Sequence, residues 1–441
     1  MLTRITMRLK FIAAILFGSA ASCALGDNLI DVYNLAQTKD PVILKAKAER
    51  DAAYAAINEA DAANLPQINL SGSATYTKTN KNDVGTAFVA GGSVSLQQAI
   101  WRHSNFIRSS IAQKTATQMD LVYNNSRQDL IQRVAAAYFG VLNAMDSLEY
   151  AKANQKALKR QLDESNQRFK VGLIANTDVQ EAQAAYDQST AQVIIAENDV
   201  ANSFENLRQI TGTSHKDLAK LDISRFTTPG VKRNAEFWLK TAEENNLSLQ
   251  SKMIAKEIAK ENITLAQTGH EPTLDLVGSL GSEYTDYKVN SIARQDGTIN
   301  SGTVGIQFNM PLYSGGAVSS RVEQAKASYI AASEDLESTH RSVQNSLYSQ
   351  YNNITAAVGT VKAYQQGVVS AESALKATEA GYQVGTRTIV DVLDATKNLY
   401  NAKSNLANAR YNYIMSWVNL RHTAGLLSEE DINLINAGLM R

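Results

Sequence analysis

Two aspartates near the end of the chain offer the most readable chemistry. Asp391 and Asp394 stand three apart, so on a helix they share a face. Two carboxylates so placed can gather cations, or they can stabilise a helix start, where an acid contributes about 0.3–1 kcal/mol. Taken alone, the pair favours the helix-start role. The positions 213 residues earlier are Asp178 and Glu181 (391 − 178 = 394 − 181 = 213). There, Thr177-Asp178-Val179-Gln180 has the spacing of a capping box, a reciprocal side-chain cap on the first turn. Two other groups near the second pair can make directed bonds. Arg387 can donate a forked pair to a carboxylate, and the Tyr382 hydroxyl can donate one bond.

Catalytic patterns are missing. His103, His215, His270, His340 and His422 lack metal-ligand spacing. Ser214-His215 is a loop dipeptide without a partner acid in evidence, and no Walker or Rossmann glycine pattern occurs. The expectation is a protein that is not an enzyme, with no cofactor and no structural metal. Any energy it uses must come from a partner. Lys plus Arg number 43 and Asp plus Glu number 43; the resulting zero net charge argues against nucleic acid as a partner.

The acids belong to a unit that the chain repeats. Phe169-Lys170-Val171-Gly172 with Asp178-Val179 returns as Tyr382-Gln383-Val384-Gly385 with Asp391-Val392. Asn206-Leu207-Arg208 returns as Asn419-Leu420-Arg421, and Gly212 as Gly425. Two copies of one unit predict a pseudo-symmetric body. Each copy must place its acids with long helices. Leu130, Val134, Tyr138, Val141, Met145 and Leu148 step by three or four, as do Val343, Leu347, Tyr351, Ile354, Val358 and Val361. No proline lies between residues 67 and 228 or after 311, which leaves both stretches free for helix. A helix of ~65 residues would be ~100 Å long, which implies a coiled-coil or tubular body. Each long run ends at a glycine turn, Val171-Gly172-Leu173 or Val384-Gly385-Thr386.

Short extended segments follow Pro66 and Pro272. Ile68, Leu70, Gly72, Ala74 and Tyr76 alternate with Gln67, Asn69, Ser71, Ser73 and Thr75. Val304, Ile306, Phe308, Met310 and Leu312 alternate in the same way, and Val94, Leu96 and Ile100 do so with Gln98 breaking the apolar face. Period two with one apolar face suits a strand between lipid and water; a soluble half-buried sheet shows the same period. Four strands cannot close a barrel in one chain, so either the chain oligomerises or these strands form no barrel.

The N-terminus reads as an export signal. Arg4, Arg8 and Lys10 precede an apolar core from Phe11 to Phe17, with a cleavage site at Ala24-Leu25-Gly26. A retained anchor and lipidation of Cys23, the only cysteine, are the alternatives. The expected organisation is a signal peptide over 1–26, a first repeat over 27–212, a linking segment over 213–233, a second repeat over 234–425 and a C-terminal segment over 426–441. Within the repeats, single helices span about 28–64 and 234–269. Strands are expected at 67–76, 93–101, 273–284 and 303–313, and later helices at 103–170, 178–211, 317–381 and 391–424.

These stretches together resemble the TolC-like outer-membrane efflux proteins. The resemblance runs from Asp27 to about Asn436. It rests on Leu65-Pro66-Gln67, Gln161-Leu162-Asp163 through Arg168-Phe169, Leu207 to Gly212, Pro311 to Gly316 and, above all, GYQVGTRTIVDVLDA from Gly381 to Ala395. It implies a mainly α fold with a small β part. Long coiled-coil helices would form a trimeric α-barrel tunnel, and four strands per protomer would enter a shared twelve-stranded transmembrane β-barrel. The segments 213–233 and 426–441 would girdle the tunnel. By the same resemblance, Asp391 and Asp394 form a cation-selective ring at the periplasmic entrance. Gln161, Thr177 and Asp178 meet Tyr382 and Arg387 of a neighbouring coiled-coil pair to hold that entrance shut. The tips Val171, Gly172, Leu173, Val384, Gly385 and Thr386 dock a periplasmic adaptor (membrane fusion protein). The implied function is an exit duct for efflux of small molecules such as drugs and for type I protein secretion. It would stand in the outer-membrane lipid of a Gram-negative bacterium and work with an inner-membrane RND, ABC or MFS transporter. The alternative is a periplasmic coiled-coil scaffold or adaptor without a pore.

Overall fold

The computed structural model describes residues 27–79, 85–289 and 296–440. The expected signal peptide, Cys23 and the middles of the two strand-joining loops lie outside the described residues. The chain runs as two similar halves. The first holds α1 (Leu29–Lys39), α2 (Pro41–Ala62), β1 (Gln67–Thr79), β2 (Gly85–Trp101), α3 (His103–Lys170) and α4 (Asn176–Thr211). The second holds α5 (Ala235–Asn245), α6 (Leu247–Gln267), β3 (Thr273–Val289), β4 (Gly297–Asn309), α7 (Ala317–Gln383) and α8 (Ile389–Thr423), and α9 (Glu429–Asn436) follows.

Each half begins with two helices where the sequence pattern predicts one. The break falls at Asp40 in the first half and at Asn246 in the second. Asp40 leaves helical geometry, and its carboxylate accepts the Ile43 amide at 3.1 Å. Pro41 follows at the first helical position, where its missing N–H costs nothing. Asn246 does the same without a proline, accepting the Leu249 amide at 2.9 Å. Hydrophobic period alone does not see such a joint, because the spacing of buried positions by three and four runs on through it, from Ala36 through Asp40 to Ile43 and from Ala242 through Asn246 to Leu249.

The four strands form one antiparallel sheet in the order β1-β2-β3-β4. They are longer than expected at their loop ends, and β4 stops at Asn309 rather than at 313, because the Pro311 turn follows. Ile68, Leu96, Gly278 and Val304 line up across the sheet, as do Leu70, Val94, Leu280 and Gly302. The opposite face aligns Ser71, Ser93, Gly281 and Ser301. There the Ser71 and Ser93 hydroxyls meet at 2.8 Å, and Ser279 meets Thr303 at 2.7 Å. Gln98 keeps its register on the apolar face beside Leu276, and the ladder of β2 breaks only after it. The register shifts between Ala99 and Trp101, a bulge that takes Ile100 out of the ladder. Ile68, Leu70, Val304 and Ile306 are all well exposed in the single chain. Among the described residues, no helix is long and apolar enough to cross a membrane.

The helices α3 and α7, of 68 and 67 residues, each extend about 100 Å. They fold back into α4 and α8. The main core sits midway along them. Leu130, Val134, Tyr138 and Val141 of α3 and Val343, Leu347, Ile354 and Val361 of α7 are buried there with Leu406, Val418 and Leu420 of α8. Segments around 218–221 and 439 lie against this core through the bridges Asp27–Leu218 and Leu221–Leu439. Tyr138, fully buried, donates to the Ala219 carbonyl at 2.8 Å. His215, without a visible partner in the sequence, pairs with Asp27 at 2.7 Å and with the Thr211 hydroxyl at 3.0 Å. That pairing spans 188 residues, so local spacing carries no trace of it.

Candidate functional site

The α3–α4 and α7–α8 hairpins end in matching turns. Gly172 and Gly385 adopt φ of 76° and 79°, the left-handed region that glycine enters without strain. The Leu173 amide reaches back to the Arg168 carbonyl at 2.9 Å, and the Thr386 amide to the Gly381 carbonyl at 2.9 Å. Both are Schellman closures, which satisfy the last carbonyls of a helix. The residues around each glycine stay in solvent. Val171, Leu173 and Val384 are 70%, 71% and 75% exposed, so each tip presents uncovered apolar side chains.

Beyond the turns the two copies diverge. In the second, Thr388 caps α8. Its hydroxyl accepts the Asp391 amide at 3.2 Å, while the Asp391 carboxylate accepts the Thr388 amide at 2.8 Å and its hydroxyl at 2.9 Å. These bonds from the Thr388 backbone and side chain hold the Asp391 carboxyl below its usual range. Arg387 lies 4.0 Å from the other Asp391 oxygen. In the first copy the expected capping box at Thr177–Gln180 does not form. The cap position is Ala175 (388 − 213 = 175), without a side-chain bond, and α4 starts at Asn176. Alanine has no hydroxyl to offer. Thr177 is exposed, and Asp178, half-buried, is left without a capping bond.

The hairpin of the second half rests on that of the first. Leu158 of α3 packs with Ile389 and Leu393 of α8, with Ala185 and Tyr382 at the edge. Arg168 lays its guanidinium 4.8 Å over the Tyr382 ring, a cation–π contact. Burial raises the Tyr382 phenol above its usual value, and the negative charges of Glu164 and Asp178 add to this, against the Arg168 cation. The phenol faces Ser165, yet neither oxygen completes a hydrogen bond of normal geometry; the same holds for the Gln161 amide oxygen one turn away. The charge of Asp178 is therefore felt at Tyr382 within one chain. Arg387 is spent elsewhere, its stem over Gly381 and its head toward Asp391. Asp394 is exposed. Arg168 and Ser165 escaped the sequence reading, although 161, 165 and 168 share one helix face, which was the available signal.

Among the described residues, no group of three or more His, Cys, Asp or Glu side chains is arranged to hold a metal ion.

Comparison with known proteins gives a consistent result. The family pattern described as outer membrane efflux protein matches residues 32–213 and 238–426. The chain is 42% identical to outer membrane protein TolC of Vibrio cholerae serotype O1, over 97% of both chains. It is 43% identical to outer membrane protein TolC of Escherichia coli K12, over 96% of this chain and 87% of the relative. Its backbone superposes on the crystal structure of the Campylobacter jejuni CmeC outer membrane channel with a TM-score of 0.78 at 17% identity, covering 94% and 90% of the two chains.

Proposed function

This chain belongs to the outer membrane efflux protein family, and we propose that three copies of it close into a single exit duct. It is an outer-membrane efflux and secretion channel, with its strands in the membrane and its long helices forming a tunnel. The observation that carries the trimeric reading is the sheet. Four strands present one apolar and one polar face, and β1 and β4 each keep an unpaired edge. Open edges demand partners, and a membrane-spanning sheet must leave no edge free in lipid. Three copies supply twelve strands and pair every edge. A scaffold without a pore would leave the apolar face of this sheet with nothing to cover it.

The tips then become the entrance. Asp391 and Asp394, repeated three times, place six carboxylates around it and raise local cation density. Tyr382 and Asp178, with Arg387 and Gln161, restrain its opening through contacts that reach across coiled-coil pairs, and Thr177 stands beside them. A closed state held by a few hydrogen bonds lies within the reach of a partner. The exposed Val171, Leu173 and Val384, with Gly172, Gly385 and Thr386 shaping the turns, dock the helices of a periplasmic adaptor. An inner-membrane RND, ABC or MFS transporter supplies the energy for moving small molecules or polypeptides. The test is current through planar bilayers. Detergent-purified protein should give discrete ion-conducting steps, and a folded sample that never conducts would count against the duct.

A further inference from the structure

The polar face of the sheet carries two carboxylates, and they are treated differently. By strand alternation Asp275, Val277, Ser279, Gly281 and Glu283 of β3 share that face. At its helix-proximal end, Asp275 is almost fully buried and takes two bonds from the Arg102 guanidinium, at 2.9 and 2.6 Å. Its charge is cancelled in place. Glu283 lies farther toward the loop end, exposed, with no hydrogen-bond or ion-pair partner among the described residues. Its ladder neighbour on β2 is Gly91 and on β4 Ile299, and Ser73 pairs with Gly91 on the far side. A side chain at position 91 would crowd the backbone of β3, since a Cβ there would stand 3.0 Å from the Ser282 carbonyl oxygen and 3.3 Å from the Glu283 Cα. Glycine and serine around it leave an open hollow of about 400 Å³. No lysine or arginine occurs on this face within the described strands; Lys78 alternates to the apolar face.

We propose that Glu283 sets a second cation-selective ring, inside the β-barrel, separate from the ring at the hairpin tips. The proposal rests on the trimeric duct described above, which turns the polar face into the wall of the lumen and repeats Glu283 three times. The two rings are independent. The 68 residues of α3 alone separate them by about 100 Å, while charge is screened over roughly 8–10 Å at physiological salt. Each ring therefore biases only its own end of the path. Glu283 enriches cations in the part of the duct that opens to the outside, whatever the state of the entrance.

The experiment measures potassium-over-chloride permeability from reversal potentials in a KCl gradient. The parent is the channel with Asp391→Asn and Asp394→Asn, so that the tips no longer dominate. That parent should remain cation-selective. Adding Glu283→Gln should lower the ratio about twofold at low salt, and the difference should vanish near 1 M, where the screening length is about 3 Å. Glu283→Lys should carry the ratio below unity. Equal ratios for the parent and both Glu283 variants would overturn the proposal. Loss of all current in the unmodified protein would instead overturn the duct itself, and the ring with it.

Discussion

The two hairpin tips share a turn and differ in one atom's consequence. Both close on a left-handed glycine, and both place an acid three residues after the cap position. Where the second copy has Thr388, the first has Ala175. The hydroxyl of Thr388 draws Asp391 into a closed box with its own helix. Without that hydroxyl, Asp178 makes no capping bond, and its charge adds to the rise of the Tyr382 phenol on the other hairpin. A repeat can thus keep its fold while tying one acid to its own helix and leaving the other uncapped.

The difference can be tested at several magnitudes. The largest effect is expected at the ring. Replacing Asp391 and Asp394 with Ala should abolish block by a trivalent cation in single-channel recordings, and unchanged block would remove the ring. Acidity adds a sign. The Asp391 carboxyl is held below its usual range by Thr388, so its charge and cap are present at neutral pH. They are lost only as pH falls through that lowered value. Block should therefore weaken at more acid pH than an ordinary aspartate would give, and Thr388→Ala should move the loss upward.

Next comes the restraint. Tyr382→Phe with Arg387→Ser removes the contacts proposed across coiled-coil pairs and should raise single-channel conductance; equal conductance would count against the restraint. Asp178→Asn should shift conductance in the same direction. If the free acid is idle, Asp178→Asn will leave conductance unchanged.

A smaller contrast lies at the helix joints. Asp40 caps α2 and also binds Arg133 at 3.1 and 2.7 Å. Burial works against its charge, but the Arg133 and Ile43 hydrogen bonds win and lower its carboxyl. In the other half Asn246 caps α6, donates to the Thr423 carbonyl at 2.9 Å and has no ion pair, and Ser346 stands where Arg133 would be (133 + 213 = 346). Asp40→Ala should cost about 2–3 kcal/mol, a value reduced because Arg133 is partly exposed, while Asn246→Ala should cost about 1 kcal/mol. Hydrogen exchange at the two joints measures both. The smallest effect is the exchange of the caps themselves. Thr388→Ala should loosen the first turn of α8 by about 1 kcal/mol, and Ala175→Thr should tighten that of α4 by a comparable amount. Amide protection of those turns reports it.

The long helices were legible because their apolar positions repeat over many turns, and the burial of Leu130, Val134, Tyr138 and Val141 follows that period. The strands were legible from alternation up to Ile100, where a bulge resets the count; Gln98 stands on the apolar face beside Leu276. The breaks at Asp40 and Asn246 were hidden because the helical spacing of buried positions continues through both. At the site, the turns and acids could be read from the 213-residue repeat. The capping box forms in the other copy, because the fitting spacing at Thr177 lies two residues past the cap position Ala175. Arg168 and Ser165 share a helix face with Gln161, but their meeting with Tyr382, like the His215–Asp27 pair, depends on which segments lie side by side.

Membrane insertion, entrance and partner docking all depend on the number of chains around one pore. Native mass spectrometry of the detergent-solubilised protein, on the same sample that is recorded in bilayers, measures it directly. The expected result is a particle of three chains that conducts. A folded particle of one chain that passes no current would contradict it.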